Sequence, residues 1–418
     1  MPGDRLCKRT STRIALVTLA TGLLAGACAP PPTAAPAVTV IAPTPGQEQD
    51  PPAESTLPPT ATPLPFTVPE RTPTARPVGV PTQVSPLSPS EYGVHLTTEY
   101  GIQIHGCGPY SLDEALDLVK EGGFTWVKQQ VRWKEIEGVR GAISWDCLDA
   151  VVAGANARGL KVLLSINTAP DWAKSHAESE HPASAAIFAD FCRKLVDRYG
   201  RQIHGIEVFN EPNLSIEWGP GINVPEYADM LEATYYAIKQ TYPGIMVISA
   251  APAPTEWSAA DVAIPDSQFL TELVEAGGVR WVDCVGAHFN HGTSSPLEED
   301  GPFEQLILGY RDTVEDERPI CITELGYAVP RSKNLPQGFE WAAGTTAEEQ
   351  AQWLAEVWDW SDAHPRVMRL VIVWNLDYWS DDPEEDANTL YALWSPHGLM
   401  PAFYTLQERN RRPMAPGR

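Results

Sequence analysis

From Tyr100 onward one pattern recurs eight times: a short, nearly continuous apolar run, then a stretch with helical spacing. The runs cover residues 100–105, 124–132, 160–166, 203–209, 245–250, 281–288, 320–324 and 367–374. Helical segments follow them, the first opened by the capping pattern Ser111-Leu112-Asp113-Glu114 and the others spanning 147–158, 183–199, 224–242, 266–276, 303–315, 346–362 and 402–410. Strands that are apolar along their whole length are buried on both faces, as parallel strands under helices must be. Eight such units over about 320 residues predict one (β/α)8 TIM barrel. A doubly wound sheet is the alternative, but no glycine-rich phosphate loop follows the first run.

The chain ahead of this region cannot build a core. Arg5, Lys8, Arg9 and Arg13 precede an apolar stretch at 14–27, about fourteen residues where a membrane span needs roughly twenty. Leu24-Ala25-Gly26-Ala27-Cys28 resembles a bacterial lipoprotein signal, with Cys28 as the lipidated residue, although Ala25 stands where leucine is usual. Nearly half of the 40 prolines fall between Pro30 and Pro89, among Thr, Ala and Ser with few charges, and this composition predicts a disordered tether. The expected organisation is a signal at 1–28, a linker at 29–89 and a barrel at 90–418. The product would be an exported monomer, held at a cell surface by its lipid alone. A formal net charge of −24 argues against a nucleic-acid partner.

Five cysteines remain in the barrel region. Cys192, Cys284 and Cys321 sit on a helix face or inside strand runs and are expected as buried small apolar side chains. Cys107 and Cys147 lie after the first and second strands, neighbours in a barrel, and a disulfide between them is open. No CxxC or HExxH occurs, so neither a metal nor a cofactor is expected.

Barrel strands present their C-terminal tips on one face, where the chemistry of such folds is done. The tips here read His105, Arg132, Asn167, Asn210 with Glu211, His288 with Asn290, Glu324, and Trp374 with Asn375. In GIEVFNEPN (205–213) an apolar run stops at Asn210-Glu211 before a proline, and PICITELGY (319–327) ends in the same way on Glu324. Long polar groups at so many tips cost free energy unless they are paired or wet. Two carboxylates working without a metal suit glycosidic bond cleavage, one as proton donor and one as nucleophile. Their environments must then differ, raising the acid's pKa and lowering the nucleophile's. Trp172, Trp218, Trp374 and Trp379 lie in loops or at tips and offer faces for sugar rings, or simply pack.

The segments VFNEPN (208–213) and ITELGY (322–327) resemble clan A retaining glycoside hydrolases, the group of family-five cellulases and family-thirty-nine β-xylosidases. The likeness extends through VRWKEIE (131–137), residues 143–166, APDWA (169–173) and YALWSPHGLMPAFYTL (391–406). It implies a carbohydrate substrate, Glu211 as acid/base and Glu324 as nucleophile. It further implies Asn210 as ligand of the substrate 2-hydroxyl, Arg132 as the cation holding Glu324 ionised, His288 and Asn290 as sixth-strand contacts, and Trp172 and Trp374 as sugar-binding aromatics. The sequence departs from the pattern at Asn290, where many members carry a tyrosine that touches the nucleophile. Tyr327, Tyr378 and His291 are the candidate replacements. A non-catalytic carbohydrate-binding surface lipoprotein is the rival from another class, and a transglycosylase would use the same residues.

Overall fold

The structure, a computed structural model, describes residues 97–412 apart from 256–257, 260–261 and 316–317. The export signal, Cys28 and the linker lie outside the described residues. β1 (Glu99–Ile104) leads to α1 (Leu112–Glu121), β2 (Trp126–Arg132) to a short α2 (Trp133–Ile136) and α3 (Asp146–Ala157), and β3 (Lys161–Asn167) to α4 (Ala185–Tyr199). β4 (Gly205–Val208) is followed by the one-turn α5 (Ser215–Trp218) and by α6 (Val224–Lys239). Then come β5 (Met246–Ser249) with α7 (Asp266–Glu275), and β6 (Val285–Phe289) with α8 (Pro302–Thr313). β7 (Ile320–Leu325) and α9 (Ala347–Ala363) precede β8 (Met368–Val373), which leads through a small hairpin, β9 (Trp394–Ser395) and β10 (Gly398–Leu399), into α10 (Pro401–Arg411).

The eight strands form one parallel sheet in the order β5-β4-β3-β2-β1-β8-β7-β6. Its two edges meet through a parallel bridge between Ile248 and Cys284, which closes the expected (β/α)8 barrel. Glycine permits that closure: a Cβ on Gly286 would overlap the Ser249 carbonyl oxygen. Local signals in the sequence carry the helix starts. The Ser111 side chain accepts the Glu114 N–H, and Thr346 and Glu349 form a complete capping box on α9.

Inside the barrel, Trp126, Leu163, Ile248, Cys284, Cys321, Leu370 and Ile372 pack an apolar floor. Trp126 fits because its partner across the ladder is Gly101, where any side chain would strike it. Side chains two residues further along a strand point the same way, one level nearer the mouth. From β2 and β4 they are Lys128 and Glu207, both fully buried.

The cysteines differ in part from expectation. Cys107 and Cys147 are joined, Cα atoms 5.5 Å apart, pinning the loop after β1 to the first turn of α3. Cys284 and Cys321, expected as separate apolar side chains, are a second disulfide with Cα atoms 5.9 Å apart. β6 and β7 are hydrogen-bonded neighbours, and both cysteine side chains pack in the barrel floor. Which runs become neighbours is not visible within either run. Cys192 is free and buried.

Candidate active site

β4 ends at Val208, and the backbone leaves the sheet through positive φ at Phe209 (77°) and Glu211 (38°). Non-glycine residues held there carry strain that surrounding structure must support. The Glu211 N–H donates to the Ala251 carbonyl at 3.1 Å. Asn213 clamps the same turn, its amide donating to the Ala253 and Ile264 carbonyls while its Oδ1 accepts the Ala253 N–H. This anchoring role is absent from the expectations above. Across the mouth, register shifts between Ala287 and His288 on β6 and between Ile322 and Leu325 on β7. Such irregularities re-aim side chains, and here they fall on the positions that carry His288 and Glu324.

The result is a tight cluster. One oxygen each from Glu211 and Glu324 and one ring nitrogen of His288 all lie within 4.8 Å of one another. His288 Nδ1 is 2.9 Å from Glu211 Oε1 and 3.8 Å from Glu324 Oε2. All three side chains are buried. Three donors so placed are a minimal set for a cation, but the Lys128 ammonium, 3.2 Å from Glu324 Oε1, already brings positive charge to this point. We assign no metal to it.

Lys128 corrects the expectation for Arg132. Arg132 ends β2 where the chain turns into α2, and its guanidinium pairs with the exposed Glu135 at 2.6 Å. Arg132 makes no ion pair with Glu324; its Nη2 is buried without a hydrogen-bond partner. Four residues deeper on β2, the Lys128 ammonium touches Glu324 Oε1, Glu207 Oε2 at 3.0 Å and the Thr323 carbonyl at 3.1 Å. Neither Lys128 nor Glu207 was singled out from the sequence. The signal available was a lysine and a glutamate inside otherwise apolar strand runs.

The electrostatics follow from burial and this single cation. Burial pushes the Glu211 carboxyl up to about 8, with Lys128 opposing and Glu207 adding to the rise. Burial also raises Glu324, against the pull of His288 and Lys128. A depressed value was expected there, and it is Glu207 that carries one: burial would raise it, but Lys128 and then His288 bring it below the ordinary carboxylate range. Burial lowers His288, which favours the neutral imidazole. Lys128 stays charged, because Glu207 and Glu324 outweigh the burial that would discharge it.

The remaining tip residues fall into two groups. Asn210 and Asn290 are fully buried with both amide atoms unpartnered, and Asn167 Oδ1, Trp374 Nε1, Glu211 Oε2 and Glu324 Oε2 are also without partners. Buried polar groups are normally satisfied, so such a concentration marks atoms that await a ligand. The others are engaged in the scaffold. Trp172 packs edge-on against Trp133 under the Arg140 guanidinium, its indole N–H bonded to the Glu137 carbonyl. Trp218 stacks on His181 in the core, while His105 pairs with Asp377 and Asn375 Oδ1 accepts the Tyr378 N–H.

At Asn290 the structure offers a tyrosine other than the three candidates. Tyr378 donates to Asp386, and Tyr327 faces Phe289 and Trp353 in the outer core. Tyr391, at the end of a 3-10 turn (Ala387–Leu390), donates its hydroxyl to the Asn290 carbonyl. Burial raises its phenol, and the charges of Glu324 and Glu211 add to the rise. Gly326 makes room, since a Cβ there would strike the Tyr391 ring.

The chain is similar to several known proteins. Residues 90–270 match the family model described as Cellulase (glycosyl hydrolase family 5), a segment that contains Glu211 and ends before Glu324. No curated protein sequence matches the chain. Among solved structures, a family 39 glycoside hydrolase from Bacteroides cellulosilyticus aligns at TM-score 0.58 and 17% identity, over 75% of this chain and 63% of that one. A GH5_18 protein from Streptomyces cattleya in complex with Manβ1-4GlcNAc aligns at 0.56 and 16% identity, over 76% and 81%. Xylanase 10B from Thermotoga maritima aligns at 0.54 and 15% identity, over 78% and 98%. The chain thus spans under two thirds of the first of these, and all three share its fold. Over residues 90–270 the chain is similar in sequence to the family 5 cellulases, and its barrel has the fold of these glycoside hydrolases.

Proposed function

We propose that the protein is a retaining β-glycosidase that cleaves O-glycosidic bonds of an oligo- or polysaccharide by double displacement. The observation that carries this reading is the spacing of Glu211 and Glu324, with oxygens within 4.8 Å of one another. Retention uses carboxyl groups about 5–5.5 Å apart, whereas inversion needs about 6.5–9.5 Å to admit a water between acid, base and sugar. Glu211, held protonated by burial to about 8, donates its proton to the leaving oxygen. Glu324, with Lys128 on one oxygen, attacks the anomeric carbon through the other, and the C–O bond to the leaving group breaks as the glycosyl–enzyme bond forms. Glu211, now ionised, takes a proton from water, which displaces Glu324 and returns both carboxyls to their starting state. Neutral His288, 2.9 Å from Glu211, fixes the orientation of the acid. The unpartnered amides of Asn210 and Asn290 receive sugar hydroxyls, and Trp374 forms part of the wall.

The test is hydrolysis of a panel of aryl β-glycosides. Glu211→Gln and Glu324→Gln each lose turnover while keeping the fold, and azide restores Glu324→Ala with a product of inverted configuration. Near-native turnover in either glutamine variant, or an inverted product from the unaltered protein, refutes the assignment.

We further propose export and anchorage through lipidated Cys28, with residues 29–89 as tether. Two disulfides in the barrel support an oxidising compartment. Cys28→Ser moves the protein from the membrane fraction to the soluble one, and unchanged membrane association overturns the anchor.

A further inference from the structure

We propose that Glu207 is a positioning residue that sets the working pH range of the site, by dividing the charge of Lys128 between itself and Glu324. The inference rests on the retaining reading above. It starts from an oddity of the barrel interior: of three buried carboxylates, Glu207, Glu211 and Glu324, two share one lysine, and one of those two is Glu207. Glu211 and Glu324 have work to do. Glu207 lies one level deeper and reaches no position where a sugar carbon would sit between the other two.

The Lys128 ammonium is gripped from two sides, by Glu207 Oε2 at 3.0 Å and Glu324 Oε1 at 3.2 Å. An ammonium held on two acceptors and the Thr323 carbonyl cannot move toward Glu324 alone. Glu207 thereby fixes where the cation sits and limits how much of its charge Glu324 receives. Other groups facing Glu207 add to the pull of Lys128 and are secondary to it. His288 Nε2 from β6 is 3.9 Å away and buried as the neutral ring. Ser165 from β3 and Thr323 from β7 bring hydroxyls, and Tyr227 from α6 brings a phenol that Glu207 helps to hold protonated. The ionised Glu207 also acts directly on both site carboxyls, making each harder to ionise. Acid and nucleophile therefore respond together: Glu207 lifts the pH at which Glu324 becomes competent and the pH at which Glu211 loses its proton.

The experiment is the pH profile of kcat/KM for an aryl β-glycoside, which reports the ionisations of the free enzyme. Glu207→Gln keeps the shape and removes the charge, and both limbs move to lower pH by about one unit or more, as expected for a charge a few ångströms away at low effective dielectric. Glu207→Asp keeps the charge and leaves both limbs near their original positions. A loss of rate in Glu207→Gln with unmoved limbs, or limbs moving to higher pH, overturns the proposal, because a purely structural role would lower rate alone. Should Glu207→Gln fail to fold, Lys128→Met with Glu207→Gln removes the buried pair together; its acid limb lies below that of Lys128→Met alone if Glu207 acts as stated, and level with it if not. Carboxyl 13C titration, with Glu211→Gln and Glu324→Gln for assignment, follows the same shifts without substrate. Product configuration separates the two claims: retention with unmoved limbs sinks only the role of Glu207, and inversion sinks the retaining reading.

Discussion

Replacing Glu211 by glutamine abolishes activity under the mechanism above, and it also makes the protein more stable near neutral pH. Burial holds the folded-state carboxyl at about 8 against an ordinary 4.5. A folded value above the unfolded one means that the group's contribution to stability is fully present below 4.5 and is lost as pH rises toward 8. At pH 7 the unfolded chain ionises this residue freely, while the folded chain still holds its proton. Two and a half units of unrealised ionisation, at 1.36 kcal/mol each, amount to about 3 kcal/mol. Glutamine has the shape of the protonated acid, offers the same oxygen to His288, and ionises in neither state.

The expected outcome is a Glu211→Gln variant about 3 kcal/mol more stable than the unaltered protein at pH 7, worth about 5 °C in melting temperature for a domain of this size. The difference shrinks steadily on acidification and vanishes below the ordinary glutamate range. Thermal melts of both proteins across that interval measure it directly. Equal melting temperatures at every pH would refute the reasoning. A glutamine variant less stable at neutral pH would show that Glu211 is ionised and well paired in the folded protein, leaving the site without its acid.

The same protonation predicts that kcat/KM falls on the alkaline side with a midpoint of about 8, as Glu211 deprotonates, and rises again when the pH is lowered. Lys128→Met leaves Glu324 buried without its cation, so kcat falls by about 10²-fold or more and the acid limb moves to higher pH; unchanged kinetics would remove Lys128 from the site. Asn210→Ala lowers kcat/KM for substrates that carry a 2-hydroxyl more than for their 2-deoxy counterparts, without loss of stability, because neither amide atom has a protein partner. Changing both Cys107 and Cys147 to serine costs about 4 kcal/mol, from the chain entropy of a loop spanning 40 residues, and shows as a lowered unfolding midpoint at neutral pH.

The fold was legible because each strand declares itself locally. Runs such as Leu160 to Ile166 are apolar apart from Lys161 and Ser165, and each stops near a polar tip that the barrel then brings to one mouth. Most boundaries shifted by a residue or two, the sixth strand starting four later at Val285 and α6 ending three earlier at Lys239, and the short α2 and α5 passed unseen because one turn has too few positions to show a period. Glu211 and Glu324 were legible for a related reason: each interrupts an apolar run at its end. The Cys284–Cys321 bridge was not, since a cysteine inside a run looks the same paired or free, and only strand adjacency distinguishes the two.

The misplacement of the cation shows the deeper limit. Arg132 drew attention because it stands at a tip, while Lys128 stands mid-strand, where alternation alone gives no depth. Depth comes from barrel closure, which points side chains of the non-adjacent strands β2, β4 and β7 into one interior and brings Lys128 within reach of both Glu207 and Glu324 although they are far apart in sequence. A buried ion pair is a weak device for stability, because desolvation consumes most of what the attraction returns and apolar side chains of similar size would serve as well. Directly above the apolar floor, such side chains would have been the simpler packing. That a lysine and a glutamate stand there instead, with the lysine's free side turned to Glu324, argues that what this level of the barrel holds in place is a charge.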